Sequence, residues 1–167
     1  MTYSTSHTLR IAAALAALVA PAFAAAAGSD HAKGTLTVQA EAKPLQMELK
    51  HAYYVSGPDT FEAGKMTRRV VFAGDDLAAT IRACADVGCA TAPPGDGLML
   101  ELDDAAPSRY WAHVRPMQYS GSVDSGGLVL KTDTADRLAG TLTIADAGVK
   151  TTIEFDATLL KTFAPPK

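Results

Sequence analysis

The stretch "GTLTV" at residues 34–38 returns almost unchanged as "GTLTI" at residues 140–144, 106 positions later. The same register sets Met47-Glu48-Leu49 against Ile153-Glu154-Phe155, where most identities are lost but apolar and polar residues still alternate. What recurs is a burial pattern of period two, which belongs to a strand with one face in a core. Around the first copy, Leu36 and Val38 alternate with Thr35, Thr37 and Gln39. "AEAKP" (40–44) then turns the chain, and Leu45, Met47 and Leu49 alternate with Gln46, Glu48 and Lys50. Around the second, Leu138, Leu142 and Ile144 lead into "ADAGVK" (145–150). Beyond it, Ile153, Phe155, Ala157 and Leu159 share a face opposite Glu154, Asp156 and Thr158. Each copy reads as a half-buried hairpin, so the repeat is one of architecture and not of chemistry. Gly34 and Gly140 are expected at strand starts or at close approaches of backbone.

Between the hairpins, "TRRVVFAG" (67–74), "DGLMLEL" (96–102), "RYWAHV" (109–114) and "GLVLKT" (127–132) read as further short strands. Their connectors are rich in Gly, Pro, Ser and Asp, as in antiparallel all-β domains. The expected fold is mainly β, an antiparallel β-sandwich or partly open barrel of about seven or eight strands. One segment leaves period two. In "DDLAATIRACADVGC" (75–89), Leu77, Ile81 and Cys84 recur at helical spacing behind Asp75 or Asp76 as N-cap. This predicts one short helix around 76–87, with Gly88 in the left-handed C′ position. Cys84 and Cys89 then fall at C3 and C″, which a Schellman motif brings together, so the spacing predicts a disulfide between them. An exported chain favours the same pairing, and C-x₄-C is neither the redox C-x-x-C nor a four-ligand zinc pattern.

Export is predicted by the N-terminus. "MTYSTSHTLR" carries Arg10 and no acid, and "IAAALAALVAPAFA" follows as an apolar run ending in small residues. Residues 1–24 read as a secretory signal peptide cut after Ala24. The run is too short for a membrane anchor, which asks for roughly 20 apolar residues. No cysteine precedes Cys84, so no lipid attachment is expected there. Residues 25–33 read as a flexible leader, 34–163 as a single β-rich domain and 164–167 as a tail. A domain of this size buries roughly two thirds of its unfolded surface. Without Arg10 the chain holds 14 basic and 18 acidic residues, a formal charge of −4, and no basic cluster beyond Arg68-Arg69. Nucleic acid and anionic membrane surfaces are therefore poor partners.

Chemistry is sparse. There is no G-x-S-x-G, H-E-x-x-H or Gly-rich phosphate loop. A small hydrolase would need His51 or His113 to meet an Asp and Ser108 in space. A soft-metal site, with copper as the candidate cofactor, would use Met and His donors. Met47 with His51, and His113 with Met117, lie four apart, and Met66 adds a further thioether. Met47 also continues the apolar stripe of Leu45 and Leu49, and His113 alternates beside Trp111. Core packing explains both equally well. The densest aromatic and cationic stretch is "SRYWAHVRPMQY" (108–119), and Tyr, Trp and Arg dominate binding hot spots. Adjacent strand residues face opposite ways, so one of Tyr53 and Tyr54 is expected outward. Tyr53, Tyr54, Arg109 and Arg115 are the candidate binding residues.

"GTLTVQAEAKPLQMELKHAYYV" (34–55), a Gly-led strand, a short turn, a second strand and "HAY", resembles the opening of a family of small exported bacterial proteins of unknown function. The resemblance implies an exported β-rich domain and carries over no catalytic residue. The expected function is thus a periplasmic or secreted, non-catalytic binding module without a cofactor, its partner a protein or other envelope component. Copper handling and a small hydrolase stand as alternatives, and the oligomeric state is left open.

Overall fold

A computed structural model describes residues 30–41, 43–59, 62, 64–92, 95–103 and 108–165. The expected signal peptide, most of the expected leader, Asp104 and the last two residues of the tail lie outside the described residues. The mainly β fold is what the chain forms. Among the described residues ten strands run in chain order as β1 (His31–Val38), β2 (Leu45–Leu49), β3 (His51–Pro58), β4 (Met66–Ala73), β5 (Gly97–Leu102), β6 (Arg109–Val114), β7 (Met117–Ser122), β8 (Leu128–Asp133), β9 (Arg137–Ala145) and β10 (Val149–Thr162). Eight follow one hydrogen-bonded path, β2-β1-β10-β3-β4-β5-β6-β7, which curls on itself, while β9 and β8 branch from β10. Strand order therefore begins at His31, three residues before the expected boundary at Gly34. Asp30 fixes that start, because its Oδ1 accepts from Thr158 N and Oγ1.

The two Gly-Thr-Leu-Thr segments lie on opposite edges of β10. Gly34 is level with Ile153 on one side, and Leu142 faces Ile153 from the other. Phe155 sits between Ala32 and Gly140. Small neighbours leave room for its ring, which meets Phe72 of the opposite layer edge-on at 5.3 Å between centroids. Both glycines mark close approaches, as the repeat implied. A Cβ on Gly140 would lie 2.2 Å from the Val129 carbonyl oxygen, and one on Gly34 would lie 2.4 Å from that of Thr152. The main core fills the space between β2-β1-β10-β9-β8 and the inner face of β3 to β7. Leu36, Leu142 and Ile153 come from one layer, Tyr54, Phe72 and Leu100 from the other, all buried.

Strand β10 belongs to both layers. Residues 149–158 pair antiparallel with β1 and β9, and beyond a register shift at Leu159/Lys161 the strand pairs with β3 in parallel.

The outer face of β3 and β4 is covered by two short helices instead of one, α1 (Ala78–Ala83) and α2 (Val87–Thr91). The N-cap is Leu77 and not Asp75 or Asp76, and Asp76 supports the helix start from one residue earlier, its Oδ1 accepting from Ala78 N at 2.9 Å. Asp86 then acts as a second N-cap, its Oδ1 accepting from Cys89 N at 2.8 Å. That local bond ends the first helix and starts the next. Gly88 therefore lies inside α2 and is not the C′ residue. Cys84 and Cys89 do form the disulfide, with Cα atoms 5.5 Å apart, and it joins the C-cap of α1 to α2. Beneath the helices lies a second core of Tyr53, Val55, Val71, Ile81, Val87 and Phe163. Among the described residues, no helix is long and apolar enough to cross a membrane.

Three carboxylates tie loops and strand edges to the body, and each is held below the usual carboxylate range. Arg137 Nε donates to Asp156 at 2.8 Å. Tyr110 OH donates to Asp146 at 2.7 Å. Asp76 accepts from Ala78 N and then from Tyr53 OH. A depressed carboxylate contributes stability above its unfolded pKa of about 3.9 and loses it as pH falls through the folded value. The tyrosines act at the other end. Burial, with the Asp76 hydrogen bond added, raises Tyr53 to about 12, so its contribution holds below about pH 10 and fades as pH approaches 12. The expected urea midpoint is level from about pH 5 to 9 and falls below about pH 4. Asp156→Asn should reduce the acid loss. A midpoint still level at pH 3 would contradict the assignment.

Candidate functional site

Beyond the helices the outer face is covered unevenly: every residue of β5 is buried, while the outward residues of β6 and β7 beside α2 are partly or fully exposed. Register sets its contents in rows. Arg69, Glu101, Arg109 and Ser122 form one row across β4 to β7, and Val71, Met99, Trp111 and Ser120 form the next. The third is Ala73, Gly97, His113 and Gln118. Between these rows and α2 lies a cleft of about 470 Å³, lined by Arg69, Thr91, Met99, Glu101, Trp111 and His113 among others.

At its base is a charged row with little access to water. Arg69 is 5% exposed and Glu101 3%. Arg69 Nε donates to Glu101 Oε2 at 2.8 Å, and Nη2 stands 2.7 Å from the same oxygen. Its Nη1 reaches Thr91 Oγ1 at 3.4 Å, and that hydroxyl donates to Val87 O at 2.7 Å, which anchors α2 over the strand. Glu101 Oε1 accepts from Arg109 Nη2. Arg109 is half-exposed and lies over the Trp111 ring, 5.7 Å from its centroid. One carboxylate thus serves two guanidiniums, and the row carries one net positive charge. At the far end, Asp96 Oδ1 accepts from Arg115 N and Nε, both at 3.1 Å, and stands 3.8 Å from His113 Nδ1.

The candidate binding residues separate. Arg109 does not line the cleft but borders it, bonded to Glu101 and lying over Trp111, both of which do. Arg115 occupies the β6–β7 turn, its side chain 73% exposed and held by Asp96 outside the cleft lining. Tyr53 and Tyr54 do face opposite ways, but neither ring is outward, at 2% and 1% exposure. Tyr54 fills the main core and Tyr53 lies under the helices, so an alternating pair meets two covered faces. The helical cap is what removes the expected exposed ring.

The soft-metal donors also separate. Met47 and Met117 pack against the main core. His51 stacks on Tyr53 at the opposite face, His113 lines the cleft, and Met66 is exposed on β4. The change of layer at Lys50 turns Met47 and His51 to different sides, and the Arg115-Pro116 turn does the same for His113 and Met117. Among the described residues no three His, Cys, Asp or Glu side chains gather as metal ligands. Ser108, just before β6, and His113 near its end are about 17 Å apart at the rise of a strand, so His113 does not meet Ser108.

Arg69, Glu101 and Thr91 were not among the candidates. Glu101 had a signal, since a lone acid inside the apolar "GLMLEL" implies a buried cationic partner. Which cation depends on the β4–β5 register. Compared with family models, with curated proteins and with solved structures, the chain gives no match.

Proposed function

We propose that the chain is an exported, non-catalytic β-rich module that binds a component of the cell envelope through the outer face of β5 to β7. The observation that carries the reading is the uncovered cleft, where Trp111 and Arg109 stand over a buried charged row. Tryptophan and arginine gathered around a desolvated centre are the usual composition of a binding hot spot. The disulfide fits an oxidising compartment, and the N-terminal sequence supports export.

The test is native mass spectrometry of the mature protein purified from its own envelope, as wild type and as Trp111→Ala, Ser120→Arg and Thr143→Arg. Ser120 is exposed beside Trp111, and Thr143 is exposed on the outer face of the other layer. The expected result is a co-purifying component kept by wild type and Thr143→Arg and lost from the other two. Loss in Thr143→Arg alone, or retention in all four, would overturn the assignment to this face.

A further inference from the structure

We infer that the cleft takes a small amphiphilic monoanion, a carboxylate head on an apolar body. This rests on the binding reading above and names the ligand class for that same site. Size comes first. A cleft of about 470 Å³ is in the range of small-molecule sites, which run from roughly 300 to 1,000 Å³. It suits a compact ligand better than a polymer or a protein surface.

Charge comes next. The row Arg69, Glu101, Arg109 keeps one positive charge in excess, a balance that one monoanion completes. A guanidinium has five N–H donors in a planar fork that matches a carboxylate. Among the described residues, the acceptors for Arg69 are Glu101 Oε2, met by Nε and Nη2, and Thr91 Oγ1, met by Nη1. Among the described residues, two N–H groups of this buried guanidinium have no acceptor. Arg109 spends one Nη on Glu101 and is otherwise open at the rim. A carboxylate between the two guanidiniums gains charge-assisted hydrogen bonds in a partly desolvated place, where they are strongest.

The remaining lining is apolar around Met99 and Trp111 and polar at His113 and Gln118. Met99 and Trp111 lie side by side on the floor, with Ala92 of the segment after α2 across from them. An aliphatic or aromatic body can lie along the Trp111 ring and the Met99 thioether, leaving the anion toward Arg109. The buried ion pair itself points the same way. Such a pair adds little or no net stability compared with apolar residues of the same volume, so its place in a cleft floor calls for another role.

The chain contains one tryptophan, and it is Trp111, so intrinsic fluorescence reports on the cleft directly. The experiment titrates the mature protein with octanoate and with 1-octanol at neutral pH. The expected result is a saturable Trp111 response to octanoate, with 1-octanol about tenfold weaker or more, as loss of a charge-assisted bond implies. Arg109→Ala should weaken octanoate about tenfold and leave 1-octanol unchanged. The alcohol contrast is made on wild-type protein and does not depend on any variant folding. Equal affinity for the two probes, or no effect of Arg109→Ala, would overturn anion recognition. So would the absence of a saturable response to octanoate. If that failure came with an envelope component still lost from Trp111→Ala and Ser120→Arg, the binding face would stand and the ligand class alone would fall.

Discussion

Glu101→Ala lowers the stability of the fold by about 3–5 kcal/mol. The substitution leaves Arg69 buried beneath α2 with only the 3.4 Å contact to Thr91, a charge withdrawn from water without its counter-ion. Arg109, half-exposed, recovers hydration and adds little to the loss. The double change Arg69→Met with Glu101→Leu removes both charges and keeps apolar volume, so its stability should return to within about 1 kcal/mol of wild type or exceed it. Urea unfolding of wild type, Glu101→Ala and the double variant makes the comparison. A Glu101→Ala loss below about 1 kcal/mol would mean that water reaches Arg69 freely, against its burial.

Phe155→Ala should lose about 3–5 kcal/mol as well, for a different reason. The ring is 4% exposed and its flanking neighbours on the same face are Ala32 and Gly140. Neither has atoms to move into the space, so the cavity persists and its full cost is felt. One residue away, Glu154 points to solvent on the other side of β10, and Glu154→Ala should stay within about 0.5 kcal/mol of wild type. Thermal unfolding of the two variants compares the faces of one strand. A similar loss in both would contradict the alternation that the repeat first suggested.

That alternation made the two hairpins legible, because the period holds on both sides of each turn in residues 34–49 and 138–159. It could not show that β10 continues into the other layer. The sign was present in Leu159-Leu160, two apolar residues in a row, where the pairing with β3 begins and its register shifts. Read along the chain, that doublet looks like a strand end. The helical segment was legible in place but not in number, since Asp86 is both a plausible helix residue and a stronger N-cap. Tyr53 and Tyr54 show the limit of local rules. Their opposite orientations follow from the backbone, while the burial of Tyr53 depends on the helical segment that begins some 24 residues later. The site was half legible. Arg109 and Trp111 announce themselves within one stretch, but Arg69 and Glu101 stand 32 positions apart and meet only through the pairing of β4 with β5.

The double membership of β10 also decides when this chain can fold. His31 pairs with Asp156, and Tyr54 is level with Leu159, so each layer waits on a partner a hundred residues or more downstream. Such contacts are slow to close, because chain entropy is lost before any of them returns energy. A ribosome adds roughly 5–20 residues per second, and throughout that time the earlier strands have a hairpin and a meander but no sealed core. The strand made last among the ten is the one that joins the others. Until residues 149–162 emerge, the polypeptide stays an open thread, the form in which a chain can be drawn through a translocation pore before it becomes a protein.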